Sequence, residues 1–194
     1  MVNPATVLVP DLEEHSVASI RAAFVLGMRC APTAVSVVTT DGPAGRFGVT
    51  VSAVASVSAD PPMLLACINR RSPVGAAVKQ NQKFTVNLLS EQQSDVADCF
   101  AGRVAANGGP AFDFGQADWA NDAADLPPRL EGACASFHCH VEQMHDAGTH
   151  VILIGRVISA VSGSEPPLAY VQQDYARVMN LKPGILQPPI IARN

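Results

Sequence analysis

Charge is what this chain has least of: 15% of its residues are Asp, Glu, Lys or Arg, against 48% hydrophobic ones. So few charges leave much apolar surface uncovered in a monomer, and a partner subunit is expected. The net charge is −4 with no basic patch, which excludes a surface built for nucleic acid or an anionic membrane. No unbroken apolar run approaches the roughly 20 residues that span a bilayer. The amino-terminal region carries Asp11, Glu13 and Glu14 instead of a basic start and apolar heart, so a cytoplasmic protein is expected. The five cysteines, Cys30, Cys67, Cys99, Cys134 and Cys139, are odd in number and form no C-x-x-C pair. That suits neither a disulfide framework nor structural zinc, and all five read as small apolar side chains in a reducing compartment. A G-x-G-x-x-G fingerprint is missing too.

What the chain does have is a long apolar, β-branched stretch from Gly48 to Ser72, uncharged until Asp60 and ending in Arg70, Arg71 and Ser72. Asp60-Pro61-Pro62 divides it into two strand-like runs, because one proline removes a backbone donor and the other restricts its neighbour. The pair of strands delivers the two arginines and the serine to one edge of the core. Pro73 then suits the first position of a short helix to about Gln80, whose free N–H groups point at the same place. Together these features read as an anion site. Without the helix and the serine, Arg70 and Arg71 would read as a solvated pair.

Upstream, Ser16 to about Arg29 is helical, with Val17, Ile20, Phe24 and Met28 on one face, and reads as a packing helix capped by Ser16. Ala34 to Thr40 is strand-like, Asp41 to Gly45 a hairpin turn, and Arg46 starts the return strand. Phe84, Val86 and Leu88 alternate inward on a further strand, and a second short helix spans Gln92 to Phe100. From Ala101 to Pro128 the pattern dissolves around Phe112, Phe114 and Trp119, and so long a loop is usually functional or subunit-contacting. Ala133 to Met144 alternates; after a turn at Asp146-Ala147-Gly148, His150 to Val157 returns as its antiparallel partner. His138, His140 and Glu142 share a strand face that solvation explains, and no metal is expected. Leu168 to Val171 is a short last strand. The tail, with Pro183, Pro188 and Pro189, is expected to lie as an arm over the surface or a neighbouring subunit. Many short strands with hairpin spacing indicate a mainly β, antiparallel fold: one domain over residues 1–194, closed into a β-barrel with flanking helices, its leader 1–15 and tail 180–194 peripheral.

On these residues the chain resembles the flavin reductase family with the FMN-binding split barrel. These are small NAD(P)H:flavin oxidoreductases, many of them reductase partners of two-component aromatic monooxygenases. The matching stretches are AVSVVTT (Ala34 to Thr40), GVTVSAVASVSADPPMLLACINRRS (Gly48 to Ser72), FTVNLLSEQQ (Phe84 to Gln93), the run from Trp119 through LEGA (Leu130 to Ala133), and THVILIGRV (Thr149 to Val157). T-V-S-A followed by S-x-D-P-P and N-R-R-S is the specific part, since its pieces recur in order and spacing. The resemblance implies a Greek-key, antiparallel split barrel and a homodimer with flavin sites near the interface.

It also implies the site. Thr50, Val51, Ser52 and Ala53 lie along the flavin, where small residues let the backbone approach a flat ring. Cys67, Ile68, Asn69, Arg70, Arg71 and Ser72 hold the phosphate, Arg71 and Ser72 most directly. Thr33, Val35 and Phe100 are placed at the flavin by the same resemblance. His150 matches a histidine that meets the nicotinamide in relatives. They commonly carry an aspartate just before it, where this chain has Thr149. Tyr170 and Tyr175 read as ordinary core or interface tyrosines.

The cofactors implied are FMN or FAD with NADH. NADPH is less expected, since no separate arginine cluster marks a 2′-phosphate site. Hydride transfer needs no nucleophile or paired carboxylate, only two rings held in contact. The missing dinucleotide fingerprint agrees, because the split barrel binds nicotinamide folded against flavin. Reduced flavin would leave by diffusion for a partner oxygenase with an aromatic substrate. The alternatives are a flavin-retaining reductase and a flavin-binding module without turnover.

Overall fold

The computed structural model describes residues 17–103, 108–120, 123 and 125–180. The leader and the proline-containing tail, with the arm expected of it, lie outside the described residues. Twelve strands and three α-helices are described: β1 (Thr33–Ala34), β2 (Ser36–Thr40), β3 (Phe47–Val51), β4 (Val54–Ala59), β5 (Pro62–Asn69), β6 (Lys83–Leu88), β7 (Trp119–Ala120), β8 (Arg129–Leu130), β9 (Ala135–Ala147), β10 (His150–Ser162), β11 (Leu168–Val171) and β12 (Asp174–Arg177), with α1 (Val17–Met28), α2 (Pro73–Asn81) and α3 (Ser94–Phe100). The fold is mainly β, and its strand pairs are antiparallel.

The main sheet has seven strands in the order β3-β2-β6-β9-β10-β5-β4. Its two edges, β3 and β4, are consecutive in the chain and joined by Ser52 and Ala53 alone. Extended chain from Val51 to Val54 reaches at most about 11 Å, whereas the edges of a flat sheet this wide would stand roughly 29 Å apart. The sheet is therefore rolled until its edges nearly meet.

It is not closed, and the expected closed barrel is corrected here: β3 pairs only with β2, and β4 only with β5. The Ser52-Ala53 link does not fold β4 back on β3 as a hairpin. It carries the chain over the seam to β5, where the Ala53 carbonyl accepts the Cys67 N–H at 3.0 Å. The single apolar stretch is thus three strands rather than two.

Inward-facing Val38, Val51, Leu64, Ala66, Ile68, Phe84, Val86 and Leu153 form one core, to which α2 adds Val74 and Val78. A second core lies on the outer face of the sheet, where Val35, Val37, Leu89, Phe100, Leu130 and Leu168 are buried under α3 and the following loop. Covered on both faces, β2 is buried at every position. As expected, Phe84, Val86 and Leu88 point inward, but Thr85 and Asn87 between them are also fully buried.

Beneath the loop, polar side chains replace solvent. Asn87 Oδ1 accepts the Leu130 N–H and the Ser136 hydroxyl, both at 2.9 Å, and its Nδ2 donates to the Val37 carbonyl at 3.1 Å. Thr39 and Thr85 donate to the carbonyls of Pro128 and Pro127 at 2.6 and 3.2 Å. His138, read from the sequence as solvated, is 1% exposed, with Nδ1 2.8 Å from Thr85 Oγ1. Thr85, 53 positions away and itself bonded to the loop, meets it, a long-range contact that strand alternation does not encode. His140 and Glu142 are exposed, Glu142 pairs with Arg156, and no group able to hold a metal occurs among the described residues.

Three further expectations need correction. The face of α1 read as packing is on the surface: Val17, Ile20, Phe24 and Met28 are all exposed, since no described element covers them. Leu168–Val171 is not the last strand: β12 follows a turn at Gln172 and Gln173, both with positive φ, which form a hairpin turn without its usual glycine. Among the cysteines, all free, Cys30 is exposed rather than an apolar filler.

Candidate functional site

The end of β5 becomes a turn by its own chemistry. Asn69 accepts the Ser72 N–H on its carbonyl and the Arg71 N–H on its side chain, each at 2.9 Å, the double bonding that favours asparagine at the start of a turn. Ser72 caps α2, its hydroxyl accepting the Val74 N–H at 3.3 Å, and Pro73 occupies the first helical position. Arg70 and Arg71 are exposed on this turn. Arg70 stands 3.8 Å from Asp146, both largely exposed, and such a pair is worth about 0–1 kcal/mol, so its guanidinium is loosely held.

Beside the turn is a cavity of about 390 Å³, lined by Arg70, Ser72, Gly75 and Lys79 among others. Gly75 lies in the first turn of α2, and a Cβ added there would meet nothing within 4 Å. A cradle against a helix start, with the cationic side chains of Arg70 and Lys79 in its wall beside the carboxylate of Asp146, fits a phosphate.

The turn is tied to His150. The Arg70 N–H donates to the Thr149 carbonyl at 2.9 Å, and His150 opens β10 directly opposite Asn69. Thr149 Oγ1 lies 2.9 Å from His150 Nδ1. A hydroxyl thus orients the ring, and Nε2 has no hydrogen-bond partner among the described residues.

The other residues singled out from the sequence divide into two groups. Ser52 and Ala53 are exposed at the seam, Ala53 bonded to Cys67, and Ser52 shares a cavity of about 270 Å³ with Thr33 and Tyr170. Through Cys67 the link lies two residues from Asn69, which faces His150. The side chains of Val35, Val51 and Ile68 are buried in the cores, so only their backbones could meet a ligand. Thr50 spends its hydroxyl on the Ala97 carbonyl at 2.7 Å. Phe100 is fully buried behind Gly48, where a Cβ would come within 2.7 Å of its ring.

Tyr170 and Tyr175 form a cross-strand edge-to-face pair. Tyr175 donates to Asp98 Oδ1 at 2.7 Å, and burial, with that carboxylate beside it, pushes its phenol up. Sequence reasoning missed Gly75 and Lys79 on the α2 face and Arg46 across from Ser72. The helical spacing from Ser72 through Gly75 to Lys79 was the available signal for the first two.

Residues 28–179 match the flavin reductase like domain. Over 154 residues the chain is 39% identical to the FMN reductase (NADH) RutF of Enterobacter cloacae, covering 78% of this chain and 90% of that one. The NADH:FAD oxidoreductase SgcE6 of Streptomyces globisporus, solved with NAD and FAD fragments, superposes with a TM-score of 0.72 at 25% identity, over 86% of this chain and 97% of its own. BorF, the flavin reductase component of a bacterial two-component tryptophan halogenase, superposes with a TM-score of 0.70 at 28% identity, over 85% and 99%. The chain belongs to the flavin reductase like family.

Proposed function

We propose that this protein is an NADH:flavin oxidoreductase that reduces FMN or FAD and releases reduced flavin to a partner oxygenase. The observation that carries the reading is the Asn69–Ser72 turn into α2 at the end of β5, opposite His150 at the start of β10 and two residues beyond Cys67, which bonds the exposed Ser52-Ala53 link. Bound flavin supplies the hydride acceptor. The chain's own residues bind and orient: Ser52 and Ala53 are small and exposed, so a flat ring can lie against their backbone. Arg71, Ser72 and the Gly75 cradle hold the phosphate. His150, steadied by Thr149, presents Nε2 to the nicotinamide carboxamide, and holding the two rings in contact is the catalytic contribution asked of the protein.

The rolled, open sheet supports a split barrel of Greek-key type in one domain. The exposed apolar face of α1, and an apolar groove of about 440 Å³ lined by Val54, Met63, Phe137 and Val157, support a homodimer. The acidic balance and the absence, among the described residues, of a helix able to cross a membrane fit a cytoplasmic enzyme.

The test is steady-state oxidation of NADH and NADPH with FMN, FAD and riboflavin in turn. NADH should be oxidised with added flavin and preferred to NADPH. Binding of flavin with no NADH oxidation would leave a binding module instead. Export predicts that purified protein loses its colour on dialysis; protein that stays yellow and turns over without added flavin is a flavin-retaining reductase.

A further inference from the structure

Ser72 and Pro73 border a second cavity, whose wall does not include Arg70. It measures about 320 Å³, in the range of small-ligand pockets, and its wall includes Arg46, Gly48, Phe112 and Phe114. Two of these residues stand in arrangements that the fold alone does not explain.

Phe112 has φ of 60°, a conformation that bulky L-residues avoid, yet the residue is 52% exposed. The strained backbone is pinned: the Phe112 N–H donates to the Cys99 carbonyl at 3.0 Å, and the ring rests on Gly102, where a Cβ would lie 2.9 Å away. Strain held by its surroundings that gains no burial for an aromatic ring marks a site.

Arg46 gives its Nε–H to Asp41 at 2.8 Å and lies over the Phe114 ring at 5.7 Å. Its two terminal amino groups make no hydrogen bond among the described residues. An exposed aromatic platform beside an oriented guanidinium with spare donors, next to a phosphate-holding serine, matches a nucleobase joined to a phosphate.

We infer that this cavity binds the adenosine-phosphate half of a dinucleotide, the base on Phe112 and its phosphate on Arg46. The inference rests on the phosphate assignment at Ser72 made above, because the pyrophosphate is what links the two compartments. FAD and NADH both carry this half, and the shared chemistry is what the cavity selects.

The experiment compares each dinucleotide with its mononucleotide: KM for FAD against FMN, and for NADH against reduced nicotinamide mononucleotide, in wild type, Phe112→Ala and Arg46→Ala. The expected result is a rise of about tenfold in one ratio, FAD/FMN or NADH/NMNH, in both variants, and the ratio that moves identifies the source. If Phe112→Ala does not fold, Phe112→Leu keeps the bulk, removes the π face and is read in the same way. Both ratios staying within twofold of wild type overturns the inference. Arg71→Ala, run alongside with FMN and riboflavin, separates the two failures: equal effects on those flavins sink the phosphate assignment, whereas a selective effect with unmoved ratios sinks only the adenosine site.

Discussion

Two polar clusters sit on the same sheet and differ in how much of their bonding is spent. Under the loop at Pro127–Leu130, Thr39, Thr85, Asn87, Ser136 and His138 are buried, and their bonds close on one another and on the loop backbone. On the edge at Asn69–Ser72, the backbone bonds make a turn while the guanidinium groups of Arg70 and Arg71 stand exposed with donors to spare. A saturated buried network holds structure, because any member removed leaves another unsatisfied in a dry place. An unsaturated exposed one can be removed at little cost to the fold, and its spare donors are what a ligand uses.

The largest expected effect is in the saturated cluster. Asn87→Leu deletes three hydrogen bonds and orphans the Leu130 N–H, and should lower unfolding stability by about 3 kcal/mol in urea titration. A loss below about 1 kcal/mol would mean the network is not what holds the loop. Next is His150→Ala on the edge, expected to lower kcat/KM for NADH about tenfold, roughly 1.4 kcal/mol, with the melting temperature unchanged within a degree or two. A matching fall in stability would move His150 to the structural side.

Gly75→Ala separates the clusters by sign. Open space awaits the added methyl, and replacing a helical glycine should raise stability by about 0.5–1 kcal/mol while raising KM for FMN several-fold. Both quantities moving favourably would remove the cradle from the site. The smallest effect is chemical. Burial pushes the Cys139 thiol up to about 12, so its thiolate is scarce until the pH nears that value. At pH 8 iodoacetamide should label exposed Cys30 and spare Cys139 until the protein unfolds, as read by mass spectrometry.

The sequence carries the edge better than the covered face. Asn69, Ser72 and Pro73 shape their turn and helix start through neighbours within a few residues, so their spacing alone is enough to read that local structure. His138 and Asn87 are buried against partners tens of residues away, Thr85 and Leu130, and alternation along β9 or β6 cannot reveal those contacts. The same limit explains α1, whose apolar face has the right period for packing but no described surface to pack on. The open seam also escaped, because Ser52-Ala53 resembles any short break in a β-branched run; only sheet order places its two sides on opposite edges. Phe100 was drawn into the site by resemblance, and three-dimensional packing sets its ring behind Gly48.

The central claim is that the spare donors at Arg71 and Ser72 hold a flavin's phosphate. Arg71→Ala tests it most directly, assayed with FMN and riboflavin, which differ by that phosphate alone. The expected outcome is a KM for FMN raised about tenfold or more, with riboflavin nearly unmoved. Equal changes for both flavins would contradict it.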